Sequence, residues 1–198
     1  MRTSTPQPQD EWGHWLPDRI SIVGTSGSGK STLAHTLGRL LQRPTIELDS
    51  LNWGPNWTER PVAELRDGVD RATSAPLWVT DGNYGGKVRD LVWGRAQGVI
   101  WLDYPYLTTL GRVTRRTAKR VLTQEELWSG NRESWRTSFA SKDSVIWWAA
   151  TTWTRRRREI PLLLARPEFA HLKLLRFTSP EQTDRWVASL RPAKRTTP

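Results

Sequence analysis

The sequence predicts an α/β fold: a five-stranded parallel sheet with helices on both faces and a helical or irregular lid. Three observations carry this. Five short apolar runs alternate with segments of helical periodicity, the pattern that builds parallel sheets through crossover helices. Three of those runs end in an acid, Asp49, Asp81 and Asp103, at the carboxyl edge where such sheets bind ligands. Between the first run and the first helix stands Gly24-Thr25-Ser26-Gly27-Ser28-Gly29-Lys30-Ser31, which fits the phosphate-binding motif G-x-x-x-x-G-K-[ST] and makes the predicted fold that of a P-loop NTPase.

Strand one is Ile20–Val23. The glycines after it permit backbone angles that a Cβ would block, so consecutive N–H groups can turn around an anion. The helix that follows, with Leu33, Leu37, Leu40 and Leu41 on one face, points its positive end at the same anion. Gly24, Ser26, Gly27, Ser28, Gly29, Lys30, Ser31 and Thr32 are therefore the expected nucleotide cradle. Lys30 is expected to be exposed in the empty loop and to reach the β- and γ-phosphates of ATP, with the Ser31 hydroxyl on Mg²⁺.

Strand two is Thr45–Leu48, ending in Asp49, followed by a loop with Trp53 and Trp57. A helix is expected from about Pro61 to Ala72, with proline in its first turn. Strand three, Leu77–Thr80, ends in Asp81-Gly82-Asn83-Tyr84, and strand four, Val99–Leu102, ends in Asp103. A long helix spans about 107–121, an irregular basic stretch 122–141, and another helix about 143–164. Strand five is Leu172–Phe177; Ser179 then introduces the last helix, about 181–190, and is counted with the nucleotide-binding residues. Residues 1–17 read as a disordered leader, 18–190 as one domain, 191–198 as a flexible tail.

A P-loop enzyme needs one carboxylate to hold Mg²⁺ and another to orient the attacking group. Asp49 and Asp81 are the candidates, with Ser31 and Asp49 the expected metal pair; a turn or helix-cap role is the alternative for each. Asp103 is left out of the chemistry, to a turn or capping role. His35 is read as structural, with no carboxylate motif to pair it.

There is no cysteine, which excludes disulfides and thiolate metal sites. No apolar run is long enough to span a membrane, and a cytoplasmic location is expected. The net charge is +10. Thirteen Arg or Lys against five acids between residues 106 and 166 place most of it there. A basic field of this kind meets a polyanion, either nucleotide phosphates under a lid or a nucleic-acid backbone. The Arg155–Arg158 run beside Trp147, Trp148 and Trp153 suits the second.

The segments 24–32, Leu48-Asp49-Ser50-Leu51-Asn52-Trp53, Asp81-Gly82-Asn83-Tyr84, Trp101–Pro105 and Leu127–Glu133 resemble P-loop kinases of the adenylate kinase type. They are most similar to the bacterial adenylate-kinase-like DNA topology modulation proteins. The resemblance implies an ATP- and Mg²⁺-dependent phosphotransferase. It implies that Arg112 lies against the adenine and that Arg116 reaches the phosphates, a spacing that places both on one helix face. Lys30, Asp49, Asp81 and Arg116 are then the catalytic set. The sequence departs from adenylate kinases after Asp81-Gly82, where Asn83-Tyr84-Gly85-Gly86 replaces the segment with the acceptor-binding arginine; Lys87 and Arg89 stand nearby, out of register. The acceptor is expected to be a small molecule, a nucleotide or nucleoside, whose base Trp53 and Trp57 could stack on; packing within their own loop is the alternative for both rings. The alternative is an ATP-binding protein associated with nucleic acid, or a polynucleotide 5′-kinase.

Overall fold

The computed structural model describes residues 16–134 and 144–190. The expected leader, apart from residues 16 and 17, the tail, and residues 135–141 of the expected lid lie outside them.

All five strands pair in parallel, in the order β2-β3-β1-β4-β5. β1 (Arg19–Gly24) sits at the centre, between β3 (Trp78–Asp81) and β4 (Gly98–Leu102), with β2 (Thr45–Glu47) and β5 (Lys173–Phe177) at the edges. β1, β3 and β4 are buried almost throughout, as central strands covered on both faces must be.

Ile20, Ile22, Val79, Ile100, Leu175 and Phe177 face α1 (Lys30–Leu41) and α7 (Pro180–Ser189), which contribute Leu33, Leu37, Trp186 and Val187. The opposite face carries Val23, Trp78, Val99 and Trp101. It packs on α3 (Val62–Thr73), α4 (Arg89–Arg95) and α6 (Val145–Leu164). The alternation follows from successive side chains pointing to opposite sheet faces. The fifth long helix, α5 (Tyr106–Thr123), buries Thr109, Val113, Thr117 and Val121.

Two elements differ from expectation. β2 stops at Glu47, and Leu48–Asn52 form a short helix, α2, with Asp49 in its first turn. Asp49 thus leaves the strand line and is carried by a helix start, where the backbone dipole favours a carboxylate. Helix α4 has no counterpart among the expected elements, because the segment is short and opens with glycines. Its Val92 and Trp93 are buried, so tertiary packing supplies what periodicity over seven residues cannot.

Candidate active site

The glycine-rich loop joins β1 to α1 at the carboxyl edge. Gly24, Gly27 and Gly29 have φ of 152°, 82° and 92°, conformations that L side chains rarely adopt. Gly27 is pressed on the Thr109 carbonyl of α5, where a Cβ would collide. Gly24 is clamped by a residue after β3: its N–H donates to Asn83 Oδ1 at 3.2 Å, and its carbonyl accepts from Asn83 Nδ2 at 2.5 Å. That clamp ties the phosphate loop to the loop after β3. Sequence reasoning missed it, although Asn83 lies in the motif Asp81–Tyr84.

Lys30 is partly buried rather than exposed, and its Nζ donates to the Thr25 carbonyl at 3.2 Å. Burial pushes its pKa down to about 8, against the fields of Asp81 and Asp49, which raise it. Arg156 and Arg116 add to the lowering. The Ser28 hydroxyl is buried without a partner. Left-handed glycines, an orphaned hydroxyl and a lysine folded back on its own loop together make a cradle suited to an anion. Ser26 is half-buried, and Thr32 lies on the exposed side of α1.

Asp81 is 5% exposed. Burial raises its pKa, while the facing Ser31 hydroxyl and Lys30 favour the charged form. The side chain that Ser31 faces is thus Asp81, whereas the expected metal pair joined Ser31 with Asp49. Asp49 accepts a hydrogen bond from the Tyr84 hydroxyl, and Trp53 in turn faces that hydroxyl. Burial beside Asp49 raises the phenol pKa, so Tyr84 stays a donor.

Arg116 sits among Arg120, Glu133, Asp49 and Glu125, its pKa lowered first by burial and its Nε without a partner. Arg112 lies over the Tyr104 ring, 5.7 Å from its centre, and its Nη1 approaches Gly29. It also acts on Glu181 at the start of α7. Ser179 caps that helix by accepting from the Gln182 N–H at 3.3 Å, a structural task.

Arg156 of α6 is a second site residue that sequence reasoning did not single out. In the sequence it is one of four consecutive arginines facing a polyanion as a group. Its guanidinium lies in the fields of Asp49 and Arg89 as well as Lys30. The helical period separates it from its neighbours: Arg157 turns to Asp103 at 3.3 Å, and Arg155 pairs with Glu159 at 3.7 Å.

Three other expectations meet different geometry. Trp53 and Trp57 pack edge to face on each other, ring centres 5.9 Å apart, and the Trp57 indole donates to the Arg132 carbonyl. Both rings are engaged in loop packing. His35 Nε2 lies 2.7 Å from Glu47 Oε1, so a carboxylate does pair it. Asp103 is bound by Arg176 and Arg157 rather than capping a helix.

No family model matches the chain. The chain superposes on shikimate kinase from Acinetobacter baumannii in complex with shikimate with a TM-score of 0.53. The superposition covers 92% of this chain and 94% of that one at 17% identity. The fold is that of the P-loop kinases. Shikimate kinase from Bacteroides thetaiotaomicron gives a TM-score of 0.49 at 14% identity, over 88% of this chain and 97% of that one. In sequence, 53 residues are 49% identical to the lipoprotein-releasing system ATP-binding protein LolD of Legionella pneumophila (strain Lens). The match takes in 25% of this chain and 22% of that protein, so the chain spans about a fifth of that relative's length.

Proposed function

We propose that the protein is a kinase that moves the γ-phosphoryl group of ATP to a small acceptor in the cytoplasm. One observation carries the reading: Lys30, Ser31, Asp81, Asp49 and Arg116 converge at the carboxyl edge around a glycine-rich loop whose Ser28 hydroxyl is buried without a partner. The likeness to adenylate-kinase-like DNA topology modulation proteins, carried by Asp81–Tyr84 and Leu127–Glu133, agrees with it.

ATP would lie along the loop N–H groups, with Arg112 and the start of α7 near the base. Ser31 and Asp81 would hold Mg²⁺, which when bound would offset the negative charge of the phosphates. Lys30 leaves the Thr25 carbonyl for the phosphates. Arg116 supplies charge where the transferring group becomes more negative. Tyr84 holds one oxygen of Asp49, leaving the other to accept the proton of the attacking hydroxyl.

Asp49→Asn and Asp81→Asn test this. Each should lower kcat by about 10²–10⁴-fold, the range of a positioned carboxylate. The change at Asp81 should also raise the Mg²⁺ concentration needed for half-maximal rate. Both amides keep the side-chain shape, so wild-type rates in either variant would return that residue to a structural role.

A further inference from the structure

The identity of the acceptor deepens the kinase reading and rests on it. Between β1, the segment 82–93 and α6 lies a small cavity of about 40 Å³. Val23, Leu48, Val92, Trp93, Ile160 and Leu163 give it apolar walls. Two guanidinium groups line it, those of Arg89 and Arg156. Arg89 stacks on Trp93, 5.5 Å from the ring centre, and lies so close to Gly85 that a Cβ there would run into it. Arg156 has a buried Nε without a partner. The acid that lines the cavity, Glu159, also pairs with Arg155 at 3.7 Å. Burial holds both guanidinium pKa values below the ordinary arginine value, yet arginine stays charged, so the cavity keeps an excess of positive charge. Its other polar side chains do not offset this: Asn83 is spent on Gly24, and Tyr84 on Asp49. Lys87, the other basic residue of the segment, turns away to Glu59 at 2.8 Å.

A nucleobase finds no platform here. Trp93 is 4% exposed, covered by Arg89 and by the edge of Phe169, whose ring centre is 5.2 Å away. Trp53 and Trp57 do not line the cavity. Arg156 links the two halves of the site, because it also lies in the field of Asp49 and acts on Lys30.

We infer that Arg89 and Arg156 hold the anionic head of a compact acceptor, a hydroxy acid or a phosphorylated polyol rather than a nucleotide, with its hydroxyl toward Asp49. Paired charged hydrogen bonds to a planar guanidinium suit a carboxylate or a phosphate alike.

The test uses the full chain with ATP and Mg²⁺ on matched pairs: D-glycerate against glycerol, gluconate against glucose, glycerol 3-phosphate against glycerol, and AMP against adenosine. An anionic non-nucleotide should exceed its neutral partner in kcat/KM by about 10–100-fold, the ratio that a charge-assisted hydrogen bond to the head group supplies. The hydroxy acids and glycerol 3-phosphate separate the carboxylate source from the phosphate source. Arg89→Met and Gly85→Ala should each raise the KM for that anion about tenfold or more. Calorimetric titration of D-glycerate and inorganic phosphate, with the P-loop saturated by a non-hydrolysable ATP analogue, reads the anion site without turnover. Neutral alcohols phosphorylated as well as anions, AMP preferred to all of them, or anion binding indifferent to Arg89→Met would each overturn the inference while leaving the kinase standing. Anion binding that Arg89→Met abolishes, with no phosphoryl transfer to any compound, would support the anion site and overturn the kinase reading.

Discussion

Lys30 is held in its charged form at a cost. Its pKa of about 8 in the folded chain lies below the ordinary 10.5, so between those values the unfolded state binds more protons. The destabilising contribution is therefore full below pH 8 and fades as pH rises toward 10.5. Lys30→Met should abolish ATP turnover and yet stabilise the nucleotide-free protein at pH 7 by about 1–2 kcal/mol, the burial cost discounted for partial solvent access. Urea unfolding at pH 7 and at pH 10 measures it, and the gain should shrink at the higher pH. Binding an ATP analogue reverses the bias, because phosphate favours the ammonium. At pH 8.5 binding should take up a fraction of a proton, read by calorimetry in buffers of different ionisation enthalpy. A site that strains its own lysine is trading stability for function.

At the scale of elements, the basic stretch after α5 is sewn to the tryptophan loop. Asn131, 5% exposed, accepts from the Trp57 N–H and donates to the carbonyls of Gly54 and Trp128. Ser129 donates to the Trp53 carbonyl, and the Trp128 indole donates to Glu47 at 3.0 Å. Glu47 also meets His35 of α1, so one carboxylate joins the phosphate-loop helix, β2 and this stretch. Asn131→Ala would leave buried backbone groups unpaired and should cost about 1–3 kcal/mol in denaturant unfolding. It should also raise amide exchange at 124–134 and at 53–57 together, since the two segments share the bonds. We propose that this joined unit is the lid, and that it slows its exchange further when nucleotide binds, as closing segments do over phosphates. Equal exchange with and without ATP analogue would remove the lid.

Over the whole molecule, the +10 charge is less free than its count suggests. Among the described residues of the basic region, Arg120 meets Glu125 and Glu133, and Arg132 meets Glu126. Arg155 meets Glu159, Arg157 meets Asp103 and Arg166 meets Glu168. Arg116 and Arg156, without such contacts, flank the site. A ligand that binds only the folded state stabilises it by mass action. At 100 times its Kd, an ATP analogue with Mg²⁺ should add about 2.7 kcal/mol. That should raise Tm by about 5–10 °C for a domain of this size. Thermal melts read the shift, and Lys30→Met should abolish it.

What the sequence determined by itself was local and periodic. Alternating apolar runs set the strands, helical spacing set α1, α3, α5, α6 and α7, and three glycines with a lysine marked the loop, because each signal lies within a few neighbouring residues. What only the tertiary structure decided was long-range. Asn83 clamps Gly24 across 59 residues, and Asp49 moves onto a helix start to meet Tyr84. Trp53 and Trp57 pack on each other. Of four arginines in a row, Arg156 falls on the face of α6 that the fold turns inward, toward Lys30 and the cavity. Four identical neighbours carry no sign of which one will be buried; the rotation of the helix against the sheet sets that, and packing fixes the rotation.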